Sequence, residues 1–217
     1  MSLYPLYTKI MDSRELDFTQ RASQVGISPP IRIIEPYNEP YPDSYFYWMY
    51  RKILPPGKTG MSVKKMTKIG KATIEAPARF AVSMDQYPLM LSEVYESPRL
   101  HEYLETARQQ LRRLHDLSII HGDFHHNNIV LDEESGDVRI IDFGESFNTR
   151  EMDETAILKL IGEYHYVAKL MGPISLTIEY VEAIEFASLE FIETSSPSEL
   201  VRYDSDDEQY ANKEELL

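Results

Sequence analysis

The chain has 217 residues, a formal charge of -14 at pH 7, 42% hydrophobic residues, 15 Tyr, 8 Phe and no Cys. That length sets one main activity on a single domain or on two small lobes sharing a core, and the apolar content excludes wholesale disorder. The acidic balance argues against a generic nucleic-acid surface, which needs clustered Lys and Arg, and the missing cysteines remove disulfides and thiolate metal sites.

Met1 to Met11 carries tyrosines, Pro5 and Lys9 where an export signal needs a continuous apolar run. No apolar stretch approaches the roughly 18 residues of a membrane-crossing helix, so a cytoplasmic or nuclear protein without membrane contact is expected. Glu15 to Val25 is helix-permissive and stops at Gly26 and Pro29-Pro30; Ile31 to Ile34 then reads as a strand. Prolines make Glu35 to Asp43 a loop, aromatic enrichment predicts a strand over Tyr45 to Leu54, and Pro55 to Gly60 is a turn. Lysines cluster between Lys58 and Lys71 as one basic island, read as a solvated hairpin or loop.

Tyr87 to Tyr95 predicts a further short strand, and Ser97-Pro98 a helix start. Leu100, Leu104, Ala107, Leu111 and Leu114 form the apolar stripe of a core-facing helix. Ile129 to Leu131 and Val138 to Ile141, joined by a turn at Ser135-Gly136-Asp137, predict a hairpin. A continuous helix is expected over Glu151 to Met171, and another from about Ser175 to Ile192. Residues 194 to 217 hold seven acidic and two basic side chains and read as a disordered tail. The expected division is residues 1–95, 96–193 and 194–217.

Two polar clusters carry the chemistry: His121-Gly122-Asp123 with Asn128, and Asp142-Phe143-Gly144, brought to the same end of the hairpin. Two aspartates and an amide converging there suit phosphoryl transfer, with one carboxylate for the acceptor hydroxyl and oxygen ligands for Mg²⁺. The histidines His115, His121, His125 and His126 lack a third ligand at motif spacing, which disfavours zinc.

Here the chain resembles the protein-kinase-like superfamily, whose catalytic loop reads H-x-D with Asn five residues after the Asp, and whose metal loop reads D-F-G. The resemblance implies an α+β, two-lobed kinase-like fold with a reduced amino-terminal β-lobe and a mainly helical carboxy-terminal lobe. It implies Asp123 as catalytic base, Asn128 and Asp142 as Mg²⁺ ligands, His121 as the residue fixing the loop and Gly144 as the residue permitting its turn. Lys9 is the preferred phosphate-gripping lysine with Glu15 as its helix partner, ahead of Lys58, Lys64 and Lys65. The hinge meeting the base is placed at Leu91 to Tyr95, including Glu93, or else at Tyr47 to Tyr50.

The H-G-D with His125 is similar to atypical members: the aminoglycoside and choline phosphotransferases and small kinases of the KEOPS and RIO types. Gly122 stands where regulated protein kinases carry an arginine, no A-P-E follows, and no G-x-G-x-x-G occurs in the chain. ATP and Mg²⁺ are therefore the expected cofactors of an atypical serine/threonine protein kinase or ATPase. A small-molecule hydroxyl kinase and a catalytically inactive pseudokinase are the alternatives. The expected partners are a protein or small-molecule hydroxyl substrate and a possible protein complex, without direct nucleic-acid binding.

Overall fold

The computed structural model describes residues 4–53 and 62–196. Strands β1 (Leu6–Asp12), β2 (Ile31–Pro36) and β3 (Arg79–Asp85) make an antiparallel sheet in the order β1-β3-β2. Helix α1 (Ser13–Gln24) follows β1 directly, because the Asp12 carboxylate accepts from the free N–H groups of Arg14 and Glu15, each at 2.9 Å. Leu16 of α1 packs with Met11, Val82 and Met84 under the sheet.

A helical pair, α2 (Asp43–Ile53) and α3 (Val63–Thr73), is inserted between β2 and β3. The strand expected from Tyr45 and the loop expected across the lysines are thus corrected to helices. The aromatic content misled: Phe46 and Tyr50 are four residues apart, a helical spacing, and both meet Gly70 of α3. Met66 and Gly70, also four apart, are the buried positions of α3, while Lys64, Lys65, Lys68 and Lys71 face solvent. The part of the island at Lys58, and the turn at Pro55 to Gly60, lie outside the described residues.

After β3 the chain crosses to the second sheet, where β4 (Leu89–Met90), β6 (Ile129–Asp132) and β7 (Asp137–Ile140) lie in the order β4-β6-β7. The strand expected over Tyr87 to Tyr95 shrinks to β4, since a 3₁₀ turn takes Leu91–Glu93. Helix α4 (Leu100–Asp116) starts later than Ser97-Pro98, whose serine Oγ instead accepts from Arg99 N–H at 3.3 Å. Its predicted stripe is buried from Leu104 to Leu114 in the main core with β6, β7 and α7 (Ile178–Thr194), and Leu100 packs against it partly exposed. β5 (Ile119–Ile120) pairs with β8 (Phe147–Asn148).

The continuous helix expected from Glu151 is divided into a 3₁₀ turn at Thr149–Glu151, α5 (Glu154–Glu163) and α6 (His165–Met171). Asp153 caps α5, and the break falls at Tyr164, whose buried hydroxyl is committed elsewhere. α7 runs through Thr194, and residues 197–217 of the acidic tail lie outside the described residues. Among the described residues, no helix is long and apolar enough to cross a membrane.

Helix α1 links the two halves of the core. Its Phe18 and Ala22 belong to the main cluster with α4, whereas Leu16 belongs to the smaller cluster of the first sheet. Hydrogen bonds fasten the same region to the second half: Arg14 to the Ser146 carbonyl, Arg21 to the Leu117 carbonyl at 2.5 Å, Arg113 to the Val25 carbonyl and Ile140 N–H to the Ile27 carbonyl at 2.9 Å.

The α2–α3 contact is testable at Gly70, where an added Cβ would lie 2.3 Å from the Phe46 carbonyl oxygen. Backbone cannot give way as a flexible side chain can, so Gly70→Ala should cost about 1–3 kcal/mol, the range for overpacking. Exposed Lys68→Ala should stay within about 0.5 kcal/mol. Thermal melts of both variants check the contrast; equal melting temperatures would remove the close helix contact.

Candidate active site

Strand alternation and α1 together build a charged triad. The β1 register sets Lys9 opposite Val82 and Met11 opposite Phe80, on the face that covers α1. Lys9 Nζ reaches Glu15 Oε1 at 2.6 Å and Asp142 Oδ1 at 2.8 Å. Burial alone would lower the Lys9 pKa, but its hydrogen bonds to Asp142 and Glu15 outweigh this and hold it above the ordinary value. Burial pushes the Glu15 carboxyl up, with Lys9 opposing. Lys64 and Lys65 are exposed on α3, and Lys58 lies outside the described residues.

Asp142 follows the hairpin strand β7 with φ 64°, the left-handed region. Asp tolerates that region better than most residues, and it is Asp142, rather than Gly144, that takes the unusual backbone turn. Gly144 contributes an N–H to Asp142 Oδ1 at 3.4 Å. Asn128 donates its Nδ2 protons to the Asp123 carbonyl at 2.8 Å and to Asp123 Oδ2 at 3.2 Å. Burial would raise the Asp123 pKa; the neighbouring His125 and the hydrogen bond from Asn128 hold it below the ordinary value.

His121 has no solvent exposure and ties the two polar loops together. Its Nε2 donates to the Ile141 carbonyl at 2.9 Å, leaving Nδ1 to accept from Asp123 N–H at 3.3 Å. That assignment makes the ring neutral, in keeping with a pKa pulled down by burial. The ring packs between Phe124 and Phe143 at 5.6 and 5.1 Å.

Sequence reading missed the group beneath this loop. Glu185 on α7 has no exposure, yet its Oε1 accepts from Gly122 N–H at 2.9 Å and from the Tyr164 hydroxyl at 2.7 Å, and its Oε2 meets His115 Nε2 at 2.7 Å. The Tyr164 oxygen in turn accepts from Phe124 N–H at 2.7 Å. The two amides flanking Asp123 are therefore held, directly or through one tyrosine, by a single buried carboxylate. Burial would raise the Glu185 pKa, but His115 and the loop hold it below the ordinary value. The legible signal was a carboxylate on the buried stripe of α7, four residues from both Val181 and Leu189.

Gly122 has φ 85°, and a Cβ there would lie 2.1 Å from the Glu145 carbonyl oxygen. No side chain, arginine included, fits that position without moving backbone.

A cavity of about 310 Å³ adjoins the triad, lined by Lys9, Met11, Met84, Leu89, Val130 and Asp142 among others. Its wall uses the connection from Asp85 to Met90, upstream of the Leu91 to Tyr95 hinge expected from sequence, of which Glu93 alone lines it. Tyr47 to Tyr50 belong to α2 and do not line it. The Glu93 carboxylate accepts from Met90 N–H at 2.7 Å and so braces this connection. The Ser28 hydroxyl, 1% exposed, lines the cavity without a hydrogen-bond partner among the described residues.

The donor set fits nucleotide-borne Mg²⁺. Asp142 offers a carboxylate and Asn128 an amide oxygen, hard ligands of the type Mg²⁺ takes together with phosphate oxygens. Among the described residues no group of three or more His, Asp and Glu side chains is placed to hold a metal alone. Phosphates would therefore complete the coordination.

A sequence profile of the phosphotransferase enzyme family matches residues 67–149, the stretch holding His121, Asp123, Asn128 and Asp142. The match covers less than half of the chain. Among solved structures, the kinase PK-1 of Cydia pomonella granulovirus is similar over 93% of this chain and 70% of its own, at 10% identity and a TM-score of 0.43. A search of curated proteins found no match. The profile begins inside α3 and leaves Lys9 and Glu15 outside it.

The buried groups fix how stability depends on pH. His121 is neutral when folded but titrates at its ordinary 6.5 when unfolded, so unfolding takes up a proton below that pH and acid destabilises. The depressed Glu185 carboxyl adds stability that is complete above its ordinary 4.5 and is lost as the pH falls toward its folded value. The melting temperature should hold near pH 7 to 8 and decline progressively below about pH 6.5. A flat profile down to about pH 5 would contradict a buried neutral His121.

Proposed function

We propose that this chain transfers the γ-phosphoryl group of ATP, with Mg²⁺, to a hydroxyl acceptor, as an atypical kinase or ATPase. The observation that carries the reading is the Lys9 ammonium bound between Glu15 at 2.6 Å and Asp142 at 2.8 Å, beside the cavity and next to the loop bearing Asp123. In this reading the base occupies the cavity, and Lys9 turns from Asp142 to the phosphates while Glu15 keeps it aimed. Asn128 and Asp142 would hold Mg²⁺, which supplies charge neutralisation on the phosphate oxygens when bound.

The chemical step balances simply. The acceptor oxygen forms a bond to Pγ, the bond from Pγ to the bridging oxygen breaks, ADP leaves with that electron pair, and Asp123 takes the acceptor proton. Asp123 suits this role because its side chain is half exposed while its backbone is locked from below by Glu185 and Tyr164.

A small-molecule acceptor is the second reading, favoured by one observation. Only a few residues after Gly144, the chain is already paired as β8 to β5, and α5 begins at Glu154, so no long extended segment lies between Gly144 and α5 to dock a peptide. The match to the phosphotransferase family over residues 67–149 supports phosphoryl transfer with either acceptor.

Three substitutions test the assignment. Asp142→Ala should abolish Mg²⁺-dependent ATP binding in calorimetry, since a charged metal ligand is lost. Asp123→Ala should keep that binding and lower turnover by about 10² or more. Lys9→Met should weaken ATP binding or stop transfer, whereas exposed Lys64→Met should do neither. Wild-type protein that binds Mg·ATP without turnover would establish a pseudokinase instead.

A further inference from the structure

Helix α3 carries Lys64, Lys65, Lys68 and Lys71 and no acidic residue, and all four lysines are exposed. Its buried side is given to Met66 and Gly70, the latter against Phe46 of α2. The outer side is a basic stripe, with Lys64, Lys68 and Lys71 at helical spacing and Lys65 beside them. Lys71 has an anion, Asp43 Oδ1 at 2.5 Å. Lys64, Lys65 and Lys68 make no ion pair among the described residues. That stands out in a chain with 36 acidic against 22 basic side chains, where a surface cation has a surplus of carboxylates to meet. Like charges four apart on a helix repel one another, and an anion laid over the stripe removes that cost.

The densest negative charge in the sequence is Asp204, Asp206, Asp207 and Glu208, within residues 197–217. This segment follows α7, which ends at Thr194, and carries seven acidic and two basic side chains. At about 3.3 Å per residue, Asp204 can stand about 26 Å and Glu208 about 40 Å from Ser196. A compact chain of this length has a radius of gyration of about 17 Å, so the cluster can reach distant surfaces of its own molecule. The spacings also agree. In an extended segment alternate side chains such as Asp204 and Asp206 share a face about 6.6 Å apart, and Lys64 and Lys68 are separated by a helical rise of about 6 Å.

We propose that the outer face of α3 is a docking surface for this chain's own acidic segment, with Asp204 to Glu208 laid along Lys64, Lys65 and Lys68. Each exposed ion pair contributes little, but covalent connection keeps the segment at a high effective concentration, so several weak pairs suffice together. Occupied in this way, the face is closed to foreign polyanions. The inference is independent of the roles given to Lys9, Asp123 and Asp142.

Carbodiimide cross-linking of the full chain joins a carboxylate to an amine where the two touch, and peptide mapping identifies the pair. In about 0.01 M salt, Asp204 to Glu208 should be joined to Lys64, Lys65 and Lys68 within one molecule, in clear excess over exposed Lys169 on α6. In about 1 M salt, where the screening length falls to about 3 Å, the excess should vanish. Equal yields at Lys169 and α3 would show a segment that merely sweeps the surface, and links found only between two molecules would assign the face to a second copy. Either result overturns the proposal.

A charge exchange and a resonance shift complete the test. Lys64→Glu, Lys65→Glu and Lys68→Glu alter exposed side chains and should leave the melting temperature near that of the wild type. Combined with Asp204→Lys, Asp206→Lys and Asp207→Lys, they should give cross-links between the same two segments with the chemical roles exchanged; a folded exchange variant without them overturns the proposal. Asp204→Asn, Asp206→Asn and Asp207→Asn together should shift the backbone amide resonances of residues 64–68 in the full chain at low salt. Unmoved resonances there would also overturn it.

Discussion

A carboxylate without solvent exposure loses the hydration that ordinarily stabilises its charge, and the protein must replace every lost contact or force the group to neutralise. Glu185 meets this demand with an imidazole, a phenol and a backbone amide. The dependence runs both ways. The amide of Gly122 is held by this carboxylate and that of Phe124 by the Tyr164 oxygen, so the loop that carries Asp123 takes its shape from α7, a helix distant in sequence. Removing the carboxylate would leave a buried amide and a buried tyrosine hydroxyl unpaired at once, the costly kind of loss.

A second constraint is imposed from above. Lys9 is bracketed by one carboxylate from α1 and one from the loop after β7, so one ammonium joins the first sheet to that loop. An exposed pair of this kind contributes little to stability, but here burial and a fixed strand register limit the alternatives open to the lysine. The charge is arranged for exchange: the Asp142 side chain is 47% exposed and can be released to other ligands, whereas Glu15 at 11% stays.

Much of the second half of the chain was legible because its signals are local. The α4 stripe repeats at helical spacing, the hairpin has its turn residues, and the H-G-D and D-F-G clusters flank it in sequence. The first half was harder for definite reasons. Aromatic residues favour strands on average, yet Phe46 and Tyr50 were placed by a glycine contact with α3 that no propensity encodes. The break at Tyr164 was invisible because it is fixed by Glu185, twenty-one residues away. Lys9 and Glu15 could be nominated as a pair, but their partner Asp142 lies beyond the reach of any local pattern.

The way α1 is fastened has a consequence for control. Swinging α1, the helix that carries Glu15, away from the rest of the chain would cost several contacts at once. Here that motion would break the arginine contacts to the Ser146, Leu117 and Val25 carbonyls and the Ile27–Ile140 bond, and would pull Phe18 and Ala22 from a core that α4 and α7 share. Gly122 also leaves no space for a side chain that could sense a phosphate from the loop. A ligand entering the cavity is therefore met by side chains and loops, with α1 fixed in place as part of the wall's support.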